Sequence, residues 1–260
     1  MHEIENSPGF WLTFLSAFTW LHTVIVAIVC SLLGAILCYP LGFLLDRKRS
    51  WMHGISRCWA KFAVYCTPLH HLHIEGLENI QPGRHYVIVS NHQSMLDILM
   101  VLAALPLHYK FMAKKELFIW PFIGWHMALA GYIPIDREDP EGRKSAFFAA
   151  QRMLERGVSV LFFPEGTRTP DGEIRNFKMG AFKAAKDAGI PVLPVVIDGT
   201  WDAVPKNSWK LRKKVGFVVS VGKPVEFDAS TRLDFAVPAV REEMVQRLHK
   251  IRRTSSPKSR

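Results

Sequence analysis

The sequence predicts an α/β fold: a mainly parallel sheet flanked by helices, preceded by an N-terminal membrane-associated helical anchor. Three observations point there. From about His70 onward, short apolar runs of strand length alternate with segments of helical length, the pattern of β-strands joined by crossover helices. Several of those runs, Val158–Phe163 and Val192–Ile197 among them, read as buried strands. Ahead of them, Asp46 is the only charged residue between Glu5 and Arg47. No soluble surface helix is built that way.

The anchor comes first. Trp11–Leu45 holds no Asp, Glu, Lys or Arg. As one helix it would be roughly 52 Å long, against about 30 Å of bilayer hydrocarbon. Val24–Cys38 is its most apolar part, and Pro40 and Gly42 are expected to break or kink it. Arg47, Lys48 and Arg49 follow at once, which for a single span puts the rest of the chain in the cytoplasm, at the inner membrane if bacterial. The acidic start (Glu3, Glu5) and the lack of a small-residue cleavage site distinguish the segment from a signal peptide. From Trp51 to Pro68, apolar Trp51, Ile55, Trp59 and Phe62 recur at helical spacing beside Arg57 and Lys61. That is an amphipathic helix, either lying among lipid headgroups or packed on the soluble part. Residues 1–68 are thus expected to anchor, 69–253 to form an α/β domain, and 254–260 to be a disordered basic tail.

Within the domain, His85–Ser90 reads as a strand, Met95–Leu105 as a helix, Tyr109–Ala113 and Gly131–Ile135 as strands and Pro140–Arg156 as a helix. After the strand Val158–Phe163 come a helix over Phe177–Ala188, the strand Val192–Ile197, a further strand at Gly216–Val221 and a terminal helix over Leu233–Arg253. There is no internal repeat.

Composition narrows the function. The 260 residues are 49% hydrophobic, which supplies a sizeable core, and 22% charged, which excludes a disordered polyampholyte. A net charge of +10 suits nucleic acid, or an anionic membrane and anionic substrates. The apolar N-terminus favours the membrane. Cys30, Cys38, Cys58 and Cys66 have neither disulfide-framework nor zinc-site spacing and are expected to be reduced and buried. The segment with the catalytic candidates has no cysteine, so no thiol nucleophile acts there.

Two constellations carry chemistry. The strand ending at Ser90 runs into Asn91-His92-Gln93-Ser94-Met95-Leu96-Asp97, at the strand end where open α/β sheets place ligands. His92 is a candidate general base, because imidazole titrates near neutrality. Asp97 would accept from its other ring nitrogen and fix the tautomer. Positions five apart cannot share a helix face, so His92 must lie in the turn and Asp97 in the first helical turn. The competing reading is a capping box, Ser94-x-x-Asp97. The second constellation is Pro164-Glu165-Gly166-Thr167-Arg168-Thr169, delivered by Val160–Phe163. Gly166 lets backbone amides approach an anion, and Arg168 offers a planar fork for phosphate. An ordinary turn with a surface Glu–Arg pair is the alternative. Arg137 and Lys114, each following a strand, are further basic candidates.

In this order the segments resemble the glycerolipid acyltransferase family, and within it the bacterial 1-acyl-sn-glycerol-3-phosphate acyltransferases. His92 to Asp97 is similar to its first motif, Gly131 to Arg137 to its second, Phe163 to Arg168 (FPEGTR) to its third, and Val192 to Ile197 to its fourth. Ala113-Lys114-Lys115-Glu116-Leu117 looks like its lysine segment. The likeness covers roughly residues 70–225. It implies a membrane-bound enzyme moving an acyl group from an acyl thioester of acyl-carrier protein or coenzyme A to the sn-2 hydroxyl of lysophosphatidic acid. His92 would be the base and Asp97 its orienting partner. Arg168, Arg137 and Lys114 would hold the phosphate, and Glu165 and Gly166, with Thr167, would shape the acceptor site. No cofactor or metal is implied. No G-x-S-x-G elbow occurs, so direct transfer without an acyl-enzyme is expected.

Three alternatives stay open: the same chemistry on another lyso-lipid (a lysophospholipid or lyso-ornithine lipid), a membrane-anchored nucleic-acid-binding protein, and an inactive adaptor. The charge alone suggests nucleic acid. The motif residues, however, lie mostly at strand ends and not in a basic–aromatic stripe, so no nucleic-acid partner is expected. The intact His92–Asp97 pair opposes the adaptor.

Overall fold

The computed structural model describes residues 8–37, 45–66, 70–204, 208–211 and 215–255. The expected break at Pro40 and Gly42, Cys38, the acidic start and tail residues 256–260 lie outside the described residues.

Among the described residues a seven-stranded sheet forms the middle layer. In chain order its strands are β1 (His70–Glu75), β2 (Val87–Ser90), β3 (Tyr109–Lys114), β4 (Ile133–Ile135), β5 (Ser159–Phe162), β6 (Val192–Asp198) and β7 (Val215–Val221). Their spatial order is β1-β7-β6-β2-β5-β3-β4. Every pairing is parallel except β6 with β7. The helices are α1 (Pro8–Leu37), α2 (Ser50–Tyr65), α3 (Asp97–Ala104), α4 (Ile123–Leu129), α5 (Pro140–Glu155), α6 (Gly180–Ala188), the single turn α7 (Thr200–Ala203) and α8 (Leu233–Ser255).

Alternation along the strands builds two cores. Ile88, Leu161, Leu193, Val195 and Ile197 face α2, α3 and α4. Val87, Val89, Val160, Phe162, Val192 and Val196 face α5, α6 and α8. With both faces covered, β2, β5 and β6 have no polar side to display, which is why they read as continuous apolar runs. Five neighbouring strands, β6, β2, β5, β3 and β4, run the same way. Their carboxyl ends share one edge, and every candidate site residue follows one of them.

Several boundaries differ from expectation. The strand expected at His85 begins at Val87, and the helix expected at Met95 begins at Asp97. Gly131 turns the chain at φ 72°, so its strand starts at Ile133. Lys178 N–H donates to Pro164 O (2.9 Å), which keeps the start of the expected 177–188 helix in the loop until Gly180. The sequence reading missed β1, where three of the six residues of His70-His-Leu-His-Ile-Glu75 are histidines. It also missed α4.

α1 is a single helix through Leu37, and its polarity is reversed relative to a soluble helix. Its outward stripe is Phe14, Phe18, Leu21, Ile25, Val29, Leu32 and Ile36, all exposed. Ser16, Thr23, Ala27 and Gly34 face the protein. Thr23 and Ser31 hydroxyls return to the Thr19 and Ala27 carbonyls, and a side chain at Gly34 would collide with Ile55 of α2. Thr13–Gly34 has a mean hydropathy of 2.0 and is long and apolar enough to cross a membrane. Large residues thus stand outward and small ones sit at the helix contact, the packing pattern common between membrane helices. Trp59 Nε1–H donates to Thr23 O (3.0 Å), and Ser16 accepts from Leu211 N–H (2.9 Å), so the helix is seated on the domain.

Of the two readings of α2, packing on the soluble part is the one observed. It packs on the domain through Met52, His53, Ser56, Ala60, Ala63 and Val64, while Trp51 and Phe62 of its apolar stripe stay exposed. Cys58 and Cys66 are exposed and Cys30 half-buried, all free thiols, contrary to the expectation of burial. The buried side of α2 is unusually polar. His53 bridges Tyr132 Oη (3.1 Å) and Leu107 O (3.0 Å), and Ser56 bonds His126 Nε2 (2.7 Å). Beneath them, buried Lys110 donates to Ala130 O (2.5 Å). Burial, with the Lys110 charge, pushes His53 well below its ordinary value and holds His108 and His126 at about 4.

The sign follows directly. These histidines exclude a proton in the folded state that the unfolded chain binds below about pH 6.5. Stability is therefore full above that pH and is lost as pH falls toward about 4. Urea midpoints should decline steadily from pH 7 to pH 5. His126→Gln, which retains a polar partner for Ser56, should flatten that decline; an unchanged slope would show that His126 carries none of it.

Candidate active site

β2 delivers Asn91 and His92 into a loop, and Asp97 opens α3. The expected geometry is present: His92 Nδ1 lies 2.7 Å from Asp97 Oδ2. The same oxygen accepts from Gln93 N–H (2.7 Å) and Ser94 N–H (2.9 Å). The other oxygen accepts from the Thr200 hydroxyl (2.6 Å). Asp97 is fully buried. With two amides already donating to Oδ2, His92 must also donate there, so its proton sits on Nδ1 and Nε2 carries the lone pair. Nε2 has no hydrogen-bond partner among the described residues.

The capping-box alternative is half realised. Asp97 reaches back to Ser94 N–H as such a box requires, but the Ser94 hydroxyl donates to Val204 O (2.6 Å) and accepts only a long bond from Leu96 N–H (3.4 Å). One carboxylate thus shapes the helix entry and orients the histidine.

His92 is fixed on every other side. Glu165 Oε1 accepts from its backbone N–H (2.9 Å), its carbonyl accepts from Thr169 N–H (2.8 Å), and its ring stacks on Phe163 at 4.1 Å between centroids. Glu165 Oε2 accepts from Arg175 N–H (3.3 Å). Both described contacts of Glu165 are therefore structural, tying the turn after β5 to the turn after β2. Burial raises the Glu165 carboxyl to about 7, with the nearby Asp97 charge adding to the shift. Its linkage is opposite to that of the histidines: stability from this group is lost as pH rises from about 4.5 through 7. Gly166 turns at φ 76°, and a side chain there would meet Lys178.

Arg137, exposed after β4, and half-buried Arg168 form no ion pair among the described residues. Burial lowers the proton affinity of Arg137, and the Arg168 charge lowers it further, so the two guanidinium groups lie within electrostatic reach. Two cations held together without a counter-ion make a site for an anion. Thr167 is exposed on the same turn. Lys114 ends β3 opposite Ile135 of β4, and its ammonium lies 3.6 Å from Glu116.

Sequence reasoning missed Thr200, the second anchor of Asp97, and Asn91, whose amide exchanges two hydrogen bonds with the Ile197 backbone (2.9 and 2.8 Å) and locks β2 to β6. Thr200 carried the same signal as His92 and Glu165: a polar residue in the turn directly after a buried central strand.

Residues 71–198 match the family model described as Acyltransferase. The chain is 38% identical over 205 residues to a chloroplastic 1-acyl-sn-glycerol-3-phosphate acyltransferase of Brassica napus, covering 78% of this chain and 58% of that protein. It is 37% identical over 158 residues to the Pseudomonas aeruginosa 1-acyl-sn-glycerol-3-phosphate acyltransferase, covering 58% and 59%. The chain thus spans little more than half the length of these relatives. The crystal structure of the 1-acyl-sn-glycerophosphate acyltransferase PlsC from Thermotoga maritima superposes with a TM-score of 0.81 at 25% identity, covering 97% of this chain and 99% of that one.

Thr200→Val should leave one buried Asp97 oxygen short of a donor and cost about 1–3 kcal/mol of stability. Thr200→Ser should restore most of it. Urea unfolding of the two variants makes the comparison, and equal stability of Val and Ser would show that the bond contributes nothing.

Proposed function

We propose, from the match of residues 71–198 to the Acyltransferase family model, that the chain is a membrane-bound 1-acyl-sn-glycerol-3-phosphate acyltransferase that makes phosphatidic acid. The observation that carries this reading is the oriented His92, whose Nε2 has no hydrogen-bond partner among the described residues, at the same strand-end edge as Arg137 and Arg168, which form no ion pair among those residues. The acceptor's phosphate sits on Arg168 and Arg137, with Lys114 adding positive charge at the rim. Gly166 and Thr167 border the glycerol. That pose brings the sn-2 hydroxyl to His92. Nε2 takes its proton as the oxygen attacks the thioester carbonyl, and Asp97 supports the imidazolium that forms. The C–S bond then breaks, and the proton passes from His92 to the leaving thiolate. Donor and acceptor react directly, the donor being an acyl thioester of acyl-carrier protein or coenzyme A.

The reversed polarity of α1 supports attachment to the bilayer, where acceptor and product both reside because each buried CH₂ contributes about 0.8 kcal/mol. The cationic Arg47–Arg49 run supports a cytoplasmic-face catalytic domain.

Assays with lysophosphatidic acid and matched acyl-carrier-protein or coenzyme A donors test the reading. His92→Ala should lose roughly 10²–10⁴-fold in turnover with the fold intact. Asp97→Asn should stay folded but turn over poorly, because it removes the charge that supports the imidazolium. A well-folded Asp97→Asn enzyme at wild-type rate would reduce Asp97 to a cap, and a fully active His92→Ala would sink the mechanism.

Arg168→Ala should weaken use of the phosphorylated acceptor by on the order of 2 kcal/mol, with only partial rescue by Lys, which lacks the bidentate fork. Unchanged acceptor kinetics would make that turn structural.

A further inference from the structure

Residues 115–129 connect β3 to β4 and have no part in the chemistry above. They leave β3 at the active-site edge as a 3-10 turn, Lys115–Ile119, and return through α4. Leu117, Phe118 and Ile123 pack inward on the core. Outward stand Ile119 (78% exposed), Trp120 (54%) and Trp125 (58%). Large apolar side chains grouped on one short excursion are costly in water, and tryptophan is the side chain most suited to the layer between headgroups and acyl chains.

The excursion is rigid. Ile123 N–H donates to Pro121 O (2.7 Å), closing a γ-turn around Phe122 at φ 62°, ψ −61°. That is the rare, strained form of the turn, and such strain collects where function requires a fixed shape. Gly124 follows with no room for a side chain, a Cβ there lying 2.3 Å from Phe118 O. The Phe122 ring rests against Trp125 at 5.3 Å between centroids. The backbone is held in a conformation that projects its apolar residues out of the protein.

Its surroundings identify what covers it. α4 packs against α1, so the patch borders the helix whose outward stripe is wholly apolar. At the far end of α4, Arg49 Nη1 donates to Ala128 O (2.7 Å), placing the cationic Arg47–Arg49 run beside it. Lys114 and Lys115 flank the start, paired with Glu116 and Asp136. An apolar ledge with interfacial tryptophans, continuous with a lipid-facing helix and edged by arginine and lysine, matches an anionic bilayer surface.

We propose that Ile119, Trp120 and Trp125 form a second membrane contact, a wedge that enters the headgroup–acyl boundary and seats the active-site edge of the sheet on the lipid surface. It rests on the membrane reading of α1 but not on the acyl-transfer chemistry. The wedge gives the embedded acceptor a short path from the bilayer to Arg137 and His92, and fixes the tilt that α1 alone leaves open.

The test uses the full chain on phosphatidylcholine–phosphatidylglycerol vesicles with brominated acyl chains, which quench tryptophan at the boundary. Trp120→Phe with Trp125→Phe keeps the apolar bodies and removes the reporters, so the quenched part of the emission should shrink. Should the unquenched part shrink instead, those rings lie in water or against another protein, and the proposal is overturned. Ile119→Ser with Trp120→Ser, both exposed and outside the site, should lower turnover of vesicle-embedded acceptor about tenfold, roughly the loss expected from one fully buried apolar side chain. Turnover of a short-chain acceptor dispersed in water should not change. An equal loss on both acceptors, or on neither, would overturn the wedge. If the wild-type chain acylated neither acceptor, the enzymatic reading would fall while the quenching result still decided the wedge.

Discussion

Asp97 is a carboxylate with no exposed surface, and burying such a group without partners costs many kilocalories per mole. Each partner that offsets this cost imposes a structural demand. Gln93 and Ser94 can turn their amides toward Oδ2 only if the backbone between β2 and α3 is not helical. Thr200 can reach Oδ1 only if β6 lies beside β2, and the Asn91 exchange with Ile197 holds that neighbour in register. His92 fills the remaining direction and is thereby oriented. The same bonds that make the buried charge tolerable determine the tautomer of His92, so stability and the orientation of the candidate base share one set of contacts at this point.

The second organising constraint is the solvent. A helix with large apolar residues outward and Ser16, Thr23, Ala27 and Gly34 inward is poorly soluble in water and well suited to lipid. It binds the domain by close approach at Gly34, by Trp20 packed against the core, and by hydrogen bonds from Trp59 and Leu211. α2 follows the same logic, with polar His53 and Ser56 buried and Trp51 and Phe62 exposed. In the proposed bilayer setting both helices are stabilised from two directions, by the domain on one side and by acyl chains on the other. That setting couples anchoring to the position of the sheet edge that carries the candidate site.

Much of this was legible in the sequence, and the parts that were not share a cause. Val160 to Phe163 and Val192 to Ile197 read as buried strands because both faces of a parallel sheet are covered, and His92 and Arg168 stood out because each follows such a strand. β1 was hidden because three of the six residues in His70–Glu75 are histidines, which leaves no apolar run. Thr200 was hidden because its meaning lies in a bond to a residue 103 positions earlier, and only the strand order makes that bond. Glu165 was legible as a site residue, yet its described contacts hold the His92 backbone, a role that requires the β2 and β5 turns to be seen side by side. The polar cluster of His53, Lys110 and His126 beneath α2 joins three segments that carry no common pattern.

In the proposed mechanism Asp97 places the proton of His92 on Nδ1 and leaves Nε2 free to accept one. Nitrogen-15 NMR of histidine-labelled protein in nanodiscs, with the His92 resonances assigned by their absence in His92→Gln, reads that tautomer directly. A protonated Nδ1 and a bare Nε2 near neutral pH are expected, with the preference weakened in Asp97→Asn. A His92 protonated on Nε2 in the wild-type protein would contradict the account.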